Sequence, residues 1–510
     1  MTQTVVAIVV VLFLMVVGWR LPSVKGRQLL FLAASYLLYA NWGIAFLAIL
    51  IVSSLMNYAC GWALRRKVTA TRLWLGVALN LLPLAFFKYL PALLDLGPEG
   101  SWQYDLGHQI LMPVGMSFWA FQGLSYLFDI YYEEELDPSL LEFCLYMAFW
   151  PTVISGPVCR LPRMLPQFRQ LAPFSWDDLS TGSLRIVQGV MMKFVLAHIM
   201  GSGWQPGEGI AAGFDQMKGG WGGIDVWLLG IGFGFLLFFD FAGYSHMVIG
   251  TARIFGLRLQ ENFDRPLLST TPSIFWTRWH MSLSFWIRDY VFYPLAAAGR
   301  RYSWWPYVVF IISMTIFGLW HGPKWTYIVY GFYHGVVLVL HRVGQQIKRQ
   351  FSVRLPRYLG TFLSCGTTFL LLAIGFIFFR ANDLTQAWAM LSAAFTPAAY
   401  WHFAMPRSFY ILTSTVAVGY FVVTAGQSLL LSWRARYREA ISERREPSEG
   451  KFPVPAVNVT LAIGAVIDFF TGRLWWWYAP ALSILAVFAG LVVYTREAVI
   501  AVTPFIYTLF

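Results

Sequence analysis

Residues 317–323, Phe317-Gly318-Leu319-Trp320-His321-Gly322-Pro323, place a histidine at the turn between two long apolar segments, 303–320 and 324–342. A second histidine lies upstream in residues 276–284, Trp276-Thr277-Arg278-Trp279-His280-Met281-Ser282-Leu283-Ser284. Glycine allows close backbone approach and proline ends a helix, so the first histidine is expected to end its helix beside a cavity. Ionisable side chains at membrane depth are costly and usually mark a pathway or a reaction site. The two runs therefore predict membrane helices built around a polar site.

The composition of the 510-residue chain is that of a polytopic membrane protein. Hydrophobic residues make up 58% of the chain and charged residues 12%, whereas a soluble domain carries roughly 25% charged residues. The apolar segments run nearly end to end, so we expect one integral domain over 1–510. A span needs about 20 apolar residues, and about 13 segments are candidates: 4–19, 28–60 (interrupted at 41–43), 73–94, 109–131, 141–156, 184–201, 224–254, 303–320, 324–342, 360–379, 408–432, 455–471 and 477–495.

The net charge of +12 comes from basic residues clustered in short loops. Such loops mark the cytoplasmic side of a membrane protein, and one follows the first span, so the N-terminus should face outward. The charge therefore does not indicate nucleic-acid binding. An alternative use is an anionic partner, such as the phosphates of CoA or an acidic carrier protein. The clusters are Arg20/Lys25/Arg27, Arg65/Arg66/Lys67/Arg72, Lys348/Arg349/Arg354/Arg357 and Arg434/Arg436/Arg438.

The charged, aromatic-rich stretch 255–302 fits poorly as a span. Irregular backbone at membrane depth is tolerated only inside protein or along a water-filled cavity, so we expect this stretch to pack inside the protein. Asp240 lies in an apolar run, where an isolated carboxylate is expensive. It is expected to pair with Arg278 or Arg288, or to orient a histidine ring. Arg288 and Asp289 fit either a local ion pair or part of a cavity wall.

The segment 109–131 carries a polar stripe among its apolar residues. Gln122, Ser125, Tyr126 and Asp129 recur at helical spacing and therefore share one face of a helix. A stripe of this kind faces either another helix or a channel, and the sequence leaves both open.

His321 is the candidate catalytic base, with a purely structural role as the alternative. The unperturbed pKa of histidine is about 6.5, so the side chain can remove a proton from a hydroxyl group near neutral pH. Acyl transfer to an alcohol needs such a base without metal or nucleotide. The chain contains no P-loop, zinc-protease, serine-hydrolase or dinucleotide-binding motif. A histidine pair could bind a metal, but no Cys, Asp or Glu sits at ligand spacing, and the four cysteines contain no C-x-x-C.

Further short motifs follow one another along the chain: Pro113-x-Gly115-x-Ser117-Phe118, Phe121-Gln122-x-x-Ser125-Tyr126, Ser155-Gly156-Pro157, Phe239-Asp240-Phe241-x-Gly243-Tyr244-Ser245, Glu261-Asn262-Phe263-x-x-Pro266, Phe275-Trp276-x-Arg278-Trp279-His280, Arg288-Asp289-Tyr290, Gly318-Leu319-Trp320-His321-Gly322 and His334-Gly335. In this order they resemble the membrane-bound O-acyltransferase (MBOAT) family. Features of its alginate O-acetylation branch and of its teichoic acid D-alanyl branch are mixed. His246 departs from the alginate-type pattern, which usually has Asp there.

The resemblance implies an all-α polytopic membrane protein, with about 11 to 13 tilted helices in a ring around a central funnel or tunnel. It implies that His321 is the catalytic histidine. His280 takes the second position, an Asn or His in the family, and would orient or polarise the thioester or the acceptor. Residues 255–342 would form the catalytic core region, without a metal. Supporting or tunnel-lining residues would be Trp320, Trp279, Arg278, Asp240, Tyr244, Gln122, Ser282, Arg288 and Asp289.

The leading hypothesis is an O-acyltransferase of the bacterial inner membrane that moves an acetyl group from cytoplasmic acetyl-CoA toward hydroxyls of an extracytoplasmic polysaccharide. No cofactor would be permanently bound. The resemblance implies a periplasmic acyltransferase partner and polysaccharide assembly proteins. One alternative is D-alanyl or other acyl transfer from the phosphopantetheine thioester of a carrier protein. Another is a non-enzymatic transporter or flippase, although an internal repeat of broken helices, typical of transporters, is not evident.

Overall fold

The computed structural model describes residues 13–14, 17–18, 20–132, 135–171, 175–205, 207–217, 219–350 and 356–443. Within these ranges the chain forms helices, turns and loops and no strand, which confirms the predicted all-α fold. The expected spans 455–471 and 477–495, and most of 4–19, lie outside the described residues.

The helices follow one another in a single series, two of them continued by a π-helical turn. They are α1 Val24–Ala40, α2 Ile44–Arg66, α3 Ala70–Lys88, α4 Leu90–Leu94, α5 Trp102–Gln109, α6 Met116–Tyr131, α7 Leu140–Ala148, α8 Leu161–Arg169, α9 Trp176–Val190 with the π turn Met191–Ala197, α10 His198–Ser202, α11 Ile210–Asp215, α12 Gly223–Ile254, α13 Pro272–Trp276, α14 Met281–Ile287 with the π turn Arg288–Phe292, α15 Tyr293–Ala298, α16 Trp305–His321, α17 Trp325–Gln350, α18 Arg357–Arg380, α19 Leu384–Phe395 and α20 Arg407–Glu443.

Five helical segments of the described chain are long and apolar enough to cross a membrane: Ile44–Arg66, Ala70–Lys88, Trp176–Ser202, Gly223–Ile254 and Leu359–Arg380. The chain is therefore a multi-pass membrane protein. The predicted break at 41–43 is confirmed, because α1 ends before it and α2 begins after it. The span expected at 141–156 is wrong, since α7 has nine residues and turns follow it. The count of about 11 to 13 spans and the central funnel stay predictions.

The most deeply buried of the five spans is α12, and glycines bring α9 against it. A Cβ atom at Gly182 would lie 2.5 Å from the carbonyl oxygen of Gly250, and one at Gly243 would lie 2.7 Å from that of Gly189. Apolar side chains gain little by packing against each other rather than lipid, so close backbone contact between small residues holds membrane helices together. The contact with α9 therefore fixes the position of α12, the central helix of the protein.

Helices α16 and α17 form a second close pair, which carries His321. They run antiparallel, because the Tyr307 hydroxyl near the start of α16 accepts a hydrogen bond from Gln346 Nε2 (3.0 Å) near the end of α17. At the other end, a Cβ atom at Gly318 would overlap the carbonyl oxygen of Tyr327 and lie 2.9 Å from Gly331 Cα. The Gly318–Gly331 contact therefore sets the distance between the two helices beside the histidine.

The middle of the stretch 255–302 packs inside the protein, as predicted, whereas its last residues, 293–302, are largely exposed. It consists of short helices and irregular turns, and its Trp276, Trp279 and His280 side chains are buried. Two other segments, 203–222 and 380–407, contact each other through an ion pair between Arg380 and Asp215 (2.6 Å). These segments therefore lie at the same end of the helices.

Replacing Gly318 with alanine should destabilise the protein, because the new methyl group would overlap the Tyr327 carbonyl. Overpacking of this kind costs about 1 to 3 kcal/mol. Gly344→Ala is the matched control, since no atom lies within 4 Å of its Cβ position. Thermal unfolding in detergent, followed by size-exclusion chromatography, should show a lower midpoint for Gly318→Ala alone. Equal midpoints for the two variants would show that the helix pair does not depend on this contact.

Candidate active site

His321 is the last residue of α16 and lies in a shell of aromatic rings. Its side chain is buried, with 3% exposed. The ring centroids of Trp320, Phe379 and Phe317 lie 4.8, 4.9 and 5.0 Å from its own. With 17 residues, α16 is roughly 26 Å long, less than the hydrocarbon thickness of about 30 Å. Its terminal histidine is therefore held inside the protein.

The sequence predicted that His321 borders a cavity. In the structure the ring of Phe317 lies between His321 and the nearest cavity. A cavity of about 360 Å³ lies between the stretch 255–302 and the α16–α17 pair. Phe317 lines it and contacts the His321 ring. Its walls also include Trp276 Nε1 and Ser313 Oγ, buried groups with no hydrogen-bond partner among the described residues. The difference arises because α17 and α18 close aromatic side chains around the helix end.

His280 also lies close to Trp320. It is 2% exposed and has a left-handed backbone (φ +42°) just before α14. Its ring centroid lies 6.3 Å from Trp320 and 4.7 Å from Phe241, and its Nδ1 lies 3.1 Å from Asn262 Oδ1. Trp320 therefore neighbours both histidines, and its own Nε1 has no hydrogen-bond partner in the described part of the chain.

The end of α16 is held by two residues that sequence reasoning missed. Lys88 Nζ donates a hydrogen bond to the carbonyl oxygen of Trp320, and the Tyr89 hydroxyl donates one to that of Leu319 (2.8 Å). The last carbonyl groups of a helix lack partners within the helix, so these donors satisfy the helix end next to His321. The available signal was a polar pair, Lys88-Tyr89, at the end of an apolar span.

Asp240 lies in a buried ion pair, but its predicted partners were wrong. It pairs with Lys193 of the π turn that follows α9, rather than with Arg278 or Arg288, and both side chains are buried (9% and 3% exposed). The reason is the close approach of α9 and α12: a Cβ atom at Gly243 would lie 2.8 Å from the Lys193 backbone nitrogen. Asp240 thus holds α9 to the central helix.

Arg288 and Asp289 form the local ion pair that was one of the two alternatives (2.7 Å), and Arg288 also lines the cavity. Asp289 pairs in addition with Arg160 (2.8 Å). Burial alone would raise the pKa of the Asp289 carboxyl, but hydrogen bonds from Arg288 and Arg160 outweigh it and lower the pKa below its ordinary value. The carboxylate therefore stays charged at neutral pH and fixes this part of the cavity wall.

The polar stripe of α6 makes hydrogen bonds to other parts of the protein, and a channel along it stays a prediction. Gln122 Nε2 donates to the Tyr146 carbonyl (3.4 Å), and Arg65 donates to the Tyr126 hydroxyl (2.9 Å). Asp129 accepts from Tyr290 (2.5 Å). The same helix also presents Phe118 and Phe121 to the Trp320 ring, at 5.9 and 5.6 Å.

The remaining predicted site residues lie in the layers around the histidines. Trp279 packs on Phe263 (5.2 Å) and Phe275 (5.4 Å). Ser282 donates to Asn262, and the Arg278 carbonyl accepts from the Asp264 amide. Tyr244 is buried on α12. Within the described ranges, no group of three or more His, Cys, Asp or Glu residues could hold a metal ion.

The model of the membrane-bound O-acyltransferase (MBOAT) family matches residues 35–362. The chain belongs to this family. The match includes both histidines, the Lys88–Trp320 contact and the stretch 255–302. A second model, of a family of unknown function (DUF5989), matches residues 461–510, outside the described residues. The organisation of 1–510 as one domain stays a prediction.

Relatives with named activities add the reaction class. The "Probable alginate O-acetylase AlgI" of Azotobacter vinelandii is 33% identical over 389 residues, which cover 74% of each chain. The "Peptidoglycan O-acetyltransferase" of Helicobacter pylori is 28% identical, covering 70% of this chain and 72% of the relative. The "Teichoic acid D-alanyltransferase" of Streptococcus thermophilus is 34% identical over 238 residues, 45% of this chain and 56% of the relative. The MBOAT chain described here is thus an O-acyltransferase, which favours the enzyme over the transporter alternative.

Lys88→Met should lower acyl transfer by roughly 10- to 100-fold, because a displacement of about 1 Å near the chemistry can cost that much. Methionine has a similar length but donates no hydrogen bond, so the Trp320 carbonyl loses its donor and the helix end can shift. Lys67→Met, at an exposed lysine after α2, is the control and should keep full activity. Acyl esters in the cell's polysaccharide, normalised to membrane protein, measure the effect. Normal ester content in the Lys88 variant would contradict the role given to this contact.

Proposed function

We propose that this O-acyltransferase takes an acetyl group from acetyl-CoA at the cytoplasmic face and passes it toward hydroxyl groups of an extracytoplasmic polysaccharide. Two of the three relatives described above carry O-acetylation of a polysaccharide in their names. The observation that carries the proposal is the convergence of His321 and His280 on the Trp320 ring in a buried aromatic shell. Such a site excludes water and can hold the reacting groups at a fixed distance from a histidine base.

In the proposed reaction His321 acts as the general base. It removes the proton of the acceptor hydroxyl while that oxygen forms a bond with the thioester carbonyl carbon. The bond between carbon and sulfur then breaks, the ester is complete, and the proton held by His321 passes to the departing thiolate. The reaction needs no other proton source, and the imidazole returns to its neutral form.

The cavity of about 360 Å³ is the proposed route of the donor. It extends from Arg342, near the basic loop that follows α17, to Phe317 beside His321. Basic loops mark the cytoplasmic side, so the cavity would open there. Arg288 and Arg342 supply positive charge for the phosphates of CoA, while the inner wall is mostly apolar, as a thioester arm requires.

The acyl group must also reach the outer face, which suggests a periplasmic acyltransferase partner and polysaccharide assembly proteins. We assign the chain to the bacterial inner membrane with its N-terminus outside, on the basis of the positive loops. D-alanyl transfer from a phosphopantetheine carrier protein is the second candidate. It is favoured by the 34% identity to the D-alanyltransferase over 238 residues. An acidic carrier protein would bind to the same basic residues, at the opening of the cavity near Arg342.

His321→Ala should abolish acylation of the polysaccharide while the protein remains in the membrane at normal amount. Loss of a general base costs roughly 10²- to 10⁴-fold, enough to remove esters from the polymer in cells. His198→Ala is the control, because His198 is exposed on α10 and away from the proposed base. Mass analysis of the acid released by mild base separates acetate from D-alanine. Normal acylation in the His321 variant would overturn the proposed mechanism.

Ser313→Leu should narrow the donor route. Ser313 is buried, and it lines the cavity one helical turn below Phe317, so a leucine side chain, larger by two non-hydrogen atoms, would occupy space the donor needs. We expect the KM for acetyl-CoA to rise roughly tenfold, a loss of about 1.4 kcal/mol in binding, with kcat changed less. Ser303→Leu, the same substitution in an exposed turn, should change neither. The assay is transfer of radiolabelled acetyl groups by membrane vesicles. An unchanged KM in the Ser313 variant would place the donor elsewhere.

A further inference from the structure

The irregular segment 261–265 and the segment 278–282, which leads into α14, hold each other in place beside the site. The Met281 amide donates to the Asn262 carbonyl (2.9 Å), and the Asp264 amide donates to that of Arg278 (3.0 Å). Among the described residues, the non-glycine positions with positive φ are Arg265 (+48°) and His280 (+42°), one in each segment. Side chains rarely adopt this backbone conformation, and such strain concentrates at functional sites. The pairing therefore imposes a strained backbone on His280.

Asn262 supplies the side chain that meets the histidine, and its amide orientation is fixed independently of the histidine. The backbone N–H of Ser282 points at one amide atom of Asn262 (3.3 Å), and the Ser282 hydroxyl lies 2.9 Å from it. A backbone N–H can only donate, so that atom must be the oxygen, Oδ1. The other atom, Nδ2, donates to Ser245 Oγ (3.3 Å). All of these groups are buried.

The orientation of the Asn262 amide determines which ring nitrogen of His280 carries the hydrogen. Nδ1 of His280 lies 3.1 Å from Asn262 Oδ1, and an amide oxygen only accepts hydrogen bonds. In the neutral ring Nδ1 must therefore carry the hydrogen, and Nε2 has the lone pair. Nε2 is buried and has no hydrogen-bond partner among the described residues. The hydrogen bond made by one ring nitrogen thus sets the chemistry of the other.

We propose that Asn262 is a positioning residue that holds His280 in the Nδ1–H form, so that Nε2 receives the hydrogen bond of a second acceptor hydroxyl, next to the one that reacts. A thioester carbonyl only accepts hydrogen bonds, and neutral Nε2 has no hydrogen to offer it. His280 therefore orients the acceptor and does not polarise the donor. This inference rests on the proposed acyl transfer, and it assigns the two histidines to one substrate: His280 holds one hydroxyl of the acceptor, and His321 deprotonates another.

The kinetic test compares Asn262→Leu, Asn262→Asp and the control Asn382→Leu in membrane vesicles supplied with radiolabelled acetyl-CoA. Leucine has a similar volume but accepts no hydrogen bond, so kcat should fall roughly 10- to 100-fold, as when other orienting partners of histidine are removed. The KM for acetyl-CoA should stay within about threefold, because the donor is not touched. Asp also accepts a hydrogen bond from Nδ1, but its negative charge favours the imidazolium, in which Nε2 carries a hydrogen, so Asp should not restore kcat. Asn382→Leu, the same substitution at an exposed asparagine after α18, should remain within about threefold of wild type.

Two kinetic results would overturn the proposal. One is an Asn262→Leu enzyme that is folded and keeps its kcat within about threefold. The other is an Asn262→Leu enzyme whose loss appears in the KM for acetyl-CoA, since His280 would then act on the donor. Because a misfolded variant also loses activity, unfolding temperature and membrane level are measured for each protein, and activity is expressed per folded molecule.

A spectroscopic measurement tests the same inference without any turnover. Protein with ¹⁵N-labelled histidine in lipid nanodiscs is compared with His280→Asn, so that the signals absent from the variant belong to His280. The proposal predicts a protonated Nδ1 and an unprotonated Nε2, and loss of this pattern in Asn262→Leu. A protonated Nε2 with an unprotonated Nδ1 in the wild type would refute it. His321→Ala measured in the vesicle assay tests the proposed function separately, so failure of one is not failure of the other.

Discussion

A helix that ends inside a membrane protein leaves carbonyl groups that must find hydrogen-bond donors there. The histidine helix α16 meets this constraint by taking both donors, Lys88 and Tyr89, from the end of α3. Its other fixed contact is the Gly318–Gly331 approach to α17. The position of His321 therefore depends on two distant parts of the chain, and the aromatic shell closes around an end that is already anchored.

The second histidine is positioned by a different means. Irregular backbone cannot satisfy its own polar groups as a helix does, so 261–265 and 278–282 satisfy each other. Asn262, Ser245 and Ser282 form a buried polar network. In this network the neighbouring groups determine whether each atom of the Asn262 amide donates or accepts a hydrogen bond. Trp320 is the residue that the two arrangements share, because its ring neighbours both His321 and His280.

Local sequence patterns predicted the structural features that depend on residues close together in the chain. Apolar runs predicted the helices, the order of the short motifs indicated the family, and the middle of the charged stretch 255–302 was correctly placed inside the protein. Long-range pairing was not predictable, because many basic residues are chemically able to pair with Asp240 and only the packing of α9 on α12 selects Lys193. The roles of Lys88 and Asn262 were missed for the same reason: each depends on a contact with a residue that the sequence does not mark as its neighbour.

The central claim is that His280 and His321 act together on one acceptor, each through a different hydroxyl of it. A double-mutant cycle tests it most directly, with His280→Ala, His321→Ala and the double variant assayed for acetyl transfer from acetyl-CoA in the same vesicles. Residues that act as a unit give non-additive losses, so the double variant should be no slower than the slower single variant. If the two losses multiply, the histidines act independently and the account is wrong.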